Sequence, residues 1–427
     1  MSNIEDIKCE LLVIGAGIAG FSASVFAANR NISVAQTGLI GEIIYSSSLI
    51  DLSGVNSSEP KNMQEDPWEN IDRLRKDCPK HPYAIISNED ISSSLKELVL
   101  FLEESGLKYI NNNNKNSFIL TSIGTLKPTY YVPKTMWPLV DAFKENKKSL
   151  IVDIVGLREF NSRQITETIK DKWPALQNAR IQFPNTENMS EVFPEHMARF
   201  FESYDIIDKI ADQIKPHLTD TKYVGMPAIF GYNNSEKIIS ELEKKLNVTI
   251  FEIPLPPPNI TGQRIKKAFE KGLSKKGVIN LTQKKVLNVI YQKDNTFVVE
   301  LGNERIESKV KCNGIILSSG RFLGKGLHAS RKKIKETIFN LYVHQPEKRS
   351  DWHSLNFNDP LGHQINSAGL LIDNEFRPLK ADNKPAYDNL FAAGSILSHN
   401  DWKRLKCGSG VSISTAYSAV MSYLNYK

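Results

Sequence analysis

The chain has 427 residues, 41% hydrophobic and 24% charged, and its 54 basic and 48 acidic side chains leave a formal charge of +6. With a mean hydropathy of −0.32, these values exclude a collagen-like chain, a disordered tail, a disulfide miniprotein and a multi-span membrane protein. At roughly 150 residues per domain, the length suggests two or three domains.

The first feature in chain order is an uncharged run of 18 residues, Leu11 to Ala28, which is the threshold length for a membrane span. Glu5, Asp6 and Glu10 precede it against Lys8 alone, so the positive flank of a signal peptide is missing. Gly15, Gly17 and Gly20 suit a turn better than a membrane helix. The run reads as a strand (Cys9 to Ile14), a turn (Gly15-Ala16-Gly17-Ile18-Ala19-Gly20) and a helix to Asn29; a second strand at Ile32 to Gln36 closes a βαβ unit. Ser57 to Asp77 is polar and helix-like. Leu95, Leu98, Leu100 and Leu102 give Ile91 to Leu107 the spacing of an amphipathic helix. Asn111 to Asn116 is a polar loop, and Thr129 to Pro133 a short strand.

A second α/β rhythm has buried strands at Leu150 to Val155, Tyr223 to Phe230 and Val248 to Ile253. Pro254, Pro256, Pro257 and Pro258 then mark an extended linker and an inner boundary. Arg264 to Lys275 is a basic amphipathic helix. Val286 to Val310 alternates as a hairpin turning at Gly302-Asn303. Asn313 to Gly320 and Leu390 to Ser395 are buried strands running into glycine. Cys407-Gly408-Ser409-Gly410-Val411 opens an Ala/Ser-rich helix to Tyr423.

Glycines at 15, 17 and 20 between a strand and a helix form a phosphate-binding turn. Gly15 permits the tight turn, Gly17 lets a phosphate approach the backbone, and Gly20 brings the helix close to the sheet. The helix N-terminus offers free N–H groups and partial positive charge. The carboxylate expected on an adenosine ribose is replaced by Gln36. That leaves open an adenine dinucleotide or a mononucleotide such as FMN. The second glycine cluster, Gly394-Ser395 followed by Gly408, Gly410 and Val411, resembles the second flavin signature of two-dinucleotide-fold flavoproteins. In those proteins a Gly-Asp pair holds the ribitol, and the next helix faces the N1/O2 edge of the isoalloxazine. Ser395 stands where they have Asp. The strand ending at Gly320 matches their third glycine strand.

Four separated cysteines (9, 78, 312 and 407) without a Cys-x-x-Cys pair exclude a four-cysteine iron–sulfur or zinc site in this chain, and fit a reducing compartment. No His-Glu-x-x-His or Gly-x-Ser-x-Gly pattern occurs, so no metal site is expected. Basic pairs are scattered; Arg331-Lys332-Lys333-Ile334-Lys335 is the dense patch. Without interleaved aromatics it gives no nucleic-acid groove. Solvated faces explain most of these charges, with anionic lipid or an acidic partner subunit as the alternative.

Further motifs carry a family resemblance over nearly the whole chain. They are Ser46-Ser47 with Asp51-Leu52, His81-Pro82-Tyr83, Gly124-Thr125-Leu126, Gly262-x-Arg264-Ile265, Gly369-x-x-x-Asp373 with Arg377-Pro378, Asn389 to Ser395, and Cys407-Gly408-x-Gly410-Val411. In this order they resemble the B subunit of anaerobic glycerol-3-phosphate dehydrogenase, in which Ser395 and Gln36 are no departure. Ser48, standing where the family has Gly, is one.

The resemblance implies a flavin subunit with FMN as the expected cofactor and FAD as the alternative. It implies oxidation of sn-glycerol 3-phosphate to dihydroxyacetone phosphate, with electrons passing to quinone. It also implies a larger catalytic flavoprotein subunit and a membrane-bound iron–sulfur subunit, which would place this chain at the cytoplasmic face of the inner membrane. The expected fold is a Rossmann-like α/β flavoprotein with an inserted α/β cap. The flavin domain would comprise residues 1–56, 259–325 and 380–427, and the cap 57–258 with 326–379. Flavin contacts are expected from residues 15–20, Gln36, Ser46, Ser47, Asp51, Gly320, Gly394, Ser395, Gly408, Gly410 and Val411. Arg264 and Arg377 are candidate phosphate clamps, and His363 and His399 candidate bases. Cys407 reads as a small packed residue, and His81 as a turn residue. The rival readings are a flavin oxidoreductase acting on another substrate and a non-catalytic scaffold subunit.

Overall fold

Four successive apolar residues, Leu11 to Ile14, end the strand Glu5–Ile14 (β1) and are buried on both faces, as the centre of a parallel sheet requires. The structure, a computed structural model, describes residues 4–39, 43–56, 59, 62–203 and 206–427. After β1 comes Ile18–Asn29 (α1), which carries no charge and buries every residue from Ala19 to Ala27. A helix apolar on all sides is a core helix. Val34–Gly38 (β2) returns parallel to β1, with Leu12 opposite Ala35. Asn88–Glu104 (α2) starts at Ser87, whose side chain accepts from Asp90 N.

The chain divides into two compact units, Met1–Ile43 with Asp51–Ser105 and Phe269–Lys427, and Ile44–Ile50 with Gly106–Ala268. The second unit holds a parallel sheet of Ser149–Ile154 (β3), Leu176–Ile181 (β4), Tyr223–Pro227 (β5) and Thr249–Ile253 (β6), in the order β6-β5-β3-β4. Its core includes Ile151, Val152, Trp173, Val224, Met226 and Phe251.

The first unit continues with Ile279–Thr282 (β7), Lys285–Tyr291 (β8), Phe297–Gly302 (β9), Ile306–Leu317 (β10) and Leu390–Ala392 (β11), and ends in Gly408–Tyr426 (α3). Among the described residues its sheet has seven strands, ordered β7-β2-β1-β10-β9-β8 with β11 on β10. β10 is long enough for two roles. One edge lies parallel to β1 from Ser308 to Leu317; along the other, its first half pairs antiparallel with β9 and its last three residues lie parallel to β11. The hairpin turn expected at Gly302-Asn303 joins β9 to β10. A second turn, between Gln292 and Thr296, interrupts the alternation that the sequence pattern presents as continuous. There Asp294 accepts from Thr296 N, and Asn295 has φ +57°, an Asx-type turn invisible to hydrophobic pattern.

The units part after Ala268, past the proline run. Residues 62–105 and 326–379 pack within the first unit, which corrects the expectation that they belong to the cap. Phe101 of α2 stacks on Phe269, which stacks on Phe21 of α1. Leu327, Ile334, Val343 and Trp352 join the cluster of Phe297 and Leu317. The boundary expected at 57 lies outside the described residues. Among those residues, no helix is long and apolar enough to cross a membrane, and no group of three or more His, Cys, Asp or Glu could hold a metal ion.

Candidate functional site

At the C-terminal end of β1 the chain turns through Gly15, which has φ +143° and donates its N–H to Thr37 O at 2.8 Å. A Cβ at Gly15 would lie 2.2 Å from the Ser318 carbonyl oxygen, so no other residue fits between β1 and the end of β10. Gly17 caps α1 without a side-chain hydrogen bond, which leaves first-turn N–H groups for a ligand. The adjoining cleft has a volume of about 320 Å3 and is lined by Gly15, Ala16, Gly17, Ser319, Lys285 and Lys325, among others. Lys284 also lines it, its ammonium donating to Ser308 Oγ at 2.6 Å, and among the described residues no carboxylate does. Ser319 Oγ is buried without a hydrogen-bond partner among the described residues. Backbone donors, lysines and a waiting hydroxyl fit a phosphate-bearing group.

Gln36 is 2% exposed. Its Nε2 donates to the Gly15 carbonyl at 2.9 Å, so this residue holds the glycine turn in shape. A carboxylate could not donate that bond.

The second glycine cluster assembles around the start of α3. Gly394 N donates to Thr415 Oγ1 at 2.9 Å, tying the turn Gly394-Ser395 to the helix. Asp51 sits at the helix N-terminus: its carbonyl accepts from Gly410 N at 2.7 Å, and its N–H donates to Ser409 Oγ at 2.7 Å. A Cβ at Gly410 would lie 2.3 Å from the Tyr83 hydroxyl, which donates to Leu52 O at 2.9 Å. Asp51, Gly394, Gly408, Gly410 and Val411 therefore share one neighbourhood of the first unit. One N–H donor of the helix end is already used by the Asp51 backbone. Gly320 follows β10 in the same unit. Ser46 and Ser47 lie in the second unit, where Ser46 Oγ accepts from Ser48 N at 3.1 Å. The Ser48 hydroxyl, at the position where the resemblance leads one to expect Gly, donates to Thr261 O at 2.6 Å.

The proposed clamps and bases have separate surroundings. Arg264 is buried; it grips Glu252 with two bonds of 2.6 and 2.8 Å and donates Nε to Gly231 O at 2.8 Å. Arg377 is bound to Asp373 and Glu375, each at 2.8 Å. His363 fastens a loop, with Nδ1 on Ser354 and Nε2 beside Phe357 O, all at 3.1 Å.

His399 differs: its Nε2 is buried without a hydrogen-bond partner among the described residues, and its ring lies 4.4 Å from that of His344. Burial, then the charges of His344 and Lys80, hold its pKa at about 4, so the ring is neutral at neutral pH. His81 accepts from Tyr83 N at 3.1 Å and is held at about 3, mainly by burial. Arg321, directly after Gly320, donates to the carbonyls of Leu397 and Asn400 at 2.9 Å and to Asn366 O, pinning the chain on both sides of His399. Burial lowers its pKa to about 10. Cys407 is buried and its thiol is pushed up, chiefly by burial, which suits a packed residue. Sequence spacing singles out neither Arg321 nor His344, since it does not reveal neighbours from distant segments.

Two curated relatives extend over the same length. The B subunit of anaerobic glycerol-3-phosphate dehydrogenase from Vibrio vulnificus is 29% identical over 99% of this chain and 97% of that protein. The protein of the same name from Vibrio cholerae is 26% identical over 97% and 96%. Among solved structures, 3-ketosteroid delta1-dehydrogenase from Sterolibacterium denitrificans aligns with 98% of this chain and 100% of its own. That match has 9% identity and a TM-score of 0.44, too loose to carry an argument. The family described as FAD binding domain matches residues 10–411, and the chain belongs to it.

Proposed function

We propose that this chain is the FAD-carrying subunit of an anaerobic glycerol-3-phosphate dehydrogenase. It would take part in oxidising sn-glycerol 3-phosphate to dihydroxyacetone phosphate and pass electrons through an iron–sulfur partner to quinone. The observation that carries the reading is the likeness to B subunits of that name across nearly the full length of both chains. FAD replaces the FMN that the sequence resemblance implies, because the matching family's description names FAD.

In this reading, Gly15 to Gly17, the first turn of α1, Lys285, Lys325 and Ser319 hold the pyrophosphate. Asp51 and the start of α3 shape the far end of the cofactor site. A bound flavin would supply the two-electron acceptor. His399 keeps a neutral imidazole with an open ring nitrogen, and takes the hydroxyl proton of the alcohol as the carbon-bound hydrogen leaves with its electron pair. Lys80, whose charge acts on both His344 and His399, attracts the substrate's phosphate. Arg264 and Arg377, bound to carboxylates, act in the fold and leave the substrate to other cations.

The test is chromatography of the cofactor released on denaturing the purified chain. FAD is expected; absence of flavin, even after incubation with FAD, would sink the reading. In the reconstituted complex, His399→Asn is expected to keep its flavin and lose turnover by about 10²-fold or more. Full turnover would remove His399 from the reaction.

A further inference from the structure

Between β10 and β11 the first unit carries a surface that the flavin reading does not use. Leu327–Ala329 and Ile334–Glu336 pair as an antiparallel hairpin. At its tip Arg331, Lys332 and Lys333 are exposed, as is Lys335 on its second strand. None of these four cations is ion-paired among the described residues. The nearby Glu336 carboxylate is buried and accepts the backbone N–H groups of Ile338, Phe339 and Leu341, so its hydrogen-bonding capacity is spent within the fold.

Arg349 ties this tip to the next loop. It donates to Ser330 O at 3.0 Å, and its guanidinium lies 4.9 Å over the ring of the buried Trp352. The loop that follows is fastened from within by His363, by Asn356 Oδ1 accepting from Asn358 N, and by Asp359 accepting from Leu361 N. Its apolar side chains face solvent: Leu355 is fully exposed, Phe357 86% and Leu361 70%. A loop held together by its polar groups while it displays its apolar ones is the reverse of an ordinary solvated loop.

We propose that this face rests directly on an anionic lipid surface. Leu355, Phe357 and Leu361 would enter the boundary between headgroups and acyl chains, and the Arg331–Lys335 tip would lie over lipid phosphates. Lysine is depleted in the cores of protein–protein interfaces, whereas a cluster of unpaired cations beside apolar side chains matches an anionic bilayer. Each signal is weak alone; together they give reversible attachment. The inference is independent of the flavin reading, since no residue of this face belongs to the cleft.

The test is co-sedimentation of the purified full chain with vesicles of phosphatidylcholine, with and without phosphatidylglycerol. The expected result is an increase in the bound fraction of about tenfold or more with phosphatidylglycerol, lost at high salt. Arg331→Glu with Lys333→Glu should abolish the dependence on phosphatidylglycerol. Leu355→Ser with Phe357→Ser and Leu361→Ser should release the protein while leaving its melting temperature unchanged, because these side chains are exposed. Absence of binding, or binding that neither variant set alters, overturns the proposal. So does concentration-dependent self-association abolished by the serine variants, which would assign the face to a second copy.

Discussion

Gln36 occupies the position where this fold commonly carries an acid, and restoring the acid tests its role. Its amide donates to the Gly15 carbonyl in a buried setting. Gln36→Glu would set a carboxylate against that carbonyl, leaving a buried acceptor unsatisfied at a cost of about 1–3 kcal/mol. The variant should unfold at lower denaturant and retain less flavin than the parent. At His81 the prediction concerns pH. Burial holds the folded pKa at about 3, against an ordinary 6.5, so below pH 6.5 the unfolded chain takes up a proton that the native state refuses. The stability contributed by the neutral ring is fully present above pH 6.5. It is lost as pH falls toward 3, by up to about 1.4 kcal/mol per pH unit. His81→Asn should make the unfolding midpoint fall less steeply over that window, leaving the part contributed by His399, which is held at about 4. An unchanged profile would show that His81 does not govern it.

Elements show what the sequence can and cannot reveal. β1, β3 and the end of β10 are legible because strands covered on both faces are unbroken apolar runs. The strand, glycine turn and helix at residues 5–29 are legible because three closely spaced glycines break an uncharged run at the turn. The seat of α3 is not: Gly410 meets Asp51 and Tyr83 only after the chain has returned from residues far apart in sequence, and no local pattern records the meeting. Nor can spacing show that Arg264 is spent on Glu252, or that His81, His344 and His399 converge. Gly410→Ala places a methyl group against the Tyr83 hydroxyl and the Asp51 carbonyl, 2.3 and 2.8 Å away. Overpacking of this kind costs about 1–3 kcal/mol. The thermal midpoint should fall, and Tyr83→Phe in the same chain should restore only part of it, because the Asp51 carbonyl remains. Breaking the pair inside the second unit should cost more: Glu252→Ala leaves the Arg264 guanidinium buried, a loss of about 3–5 kcal/mol. Denaturant melts of both variants give the comparison.

Across the whole molecule, the thiols report on opening of the fold. Burial pushes Cys9 up to about 12 and raises Cys312 and Cys407 as well. Alkylation requires the thiolate, so iodoacetamide on the native protein should mark Cys78 first, the other three appearing only in denaturant. Mass spectrometry of the peptides reads this directly; early modification of Cys312 would mean that the central sheet opens readily.

The register of that sheet also has a consequence for synthesis. β1 is made well before β10, its partner along one edge: Glu5 waits for Ser308, and Ile14 for Leu317. The strands β3 to β6 need nothing made after Ile253 to complete their own ladder. On the ribosome the second unit can therefore settle while the apolar edge of Leu11 to Ile14 is still bare. Such an edge invites pairing with another chain. On the proposed reading, cofactor loading waits for the same segment, because Ser318 and Ser319 of the cleft directly follow β10 in the chain.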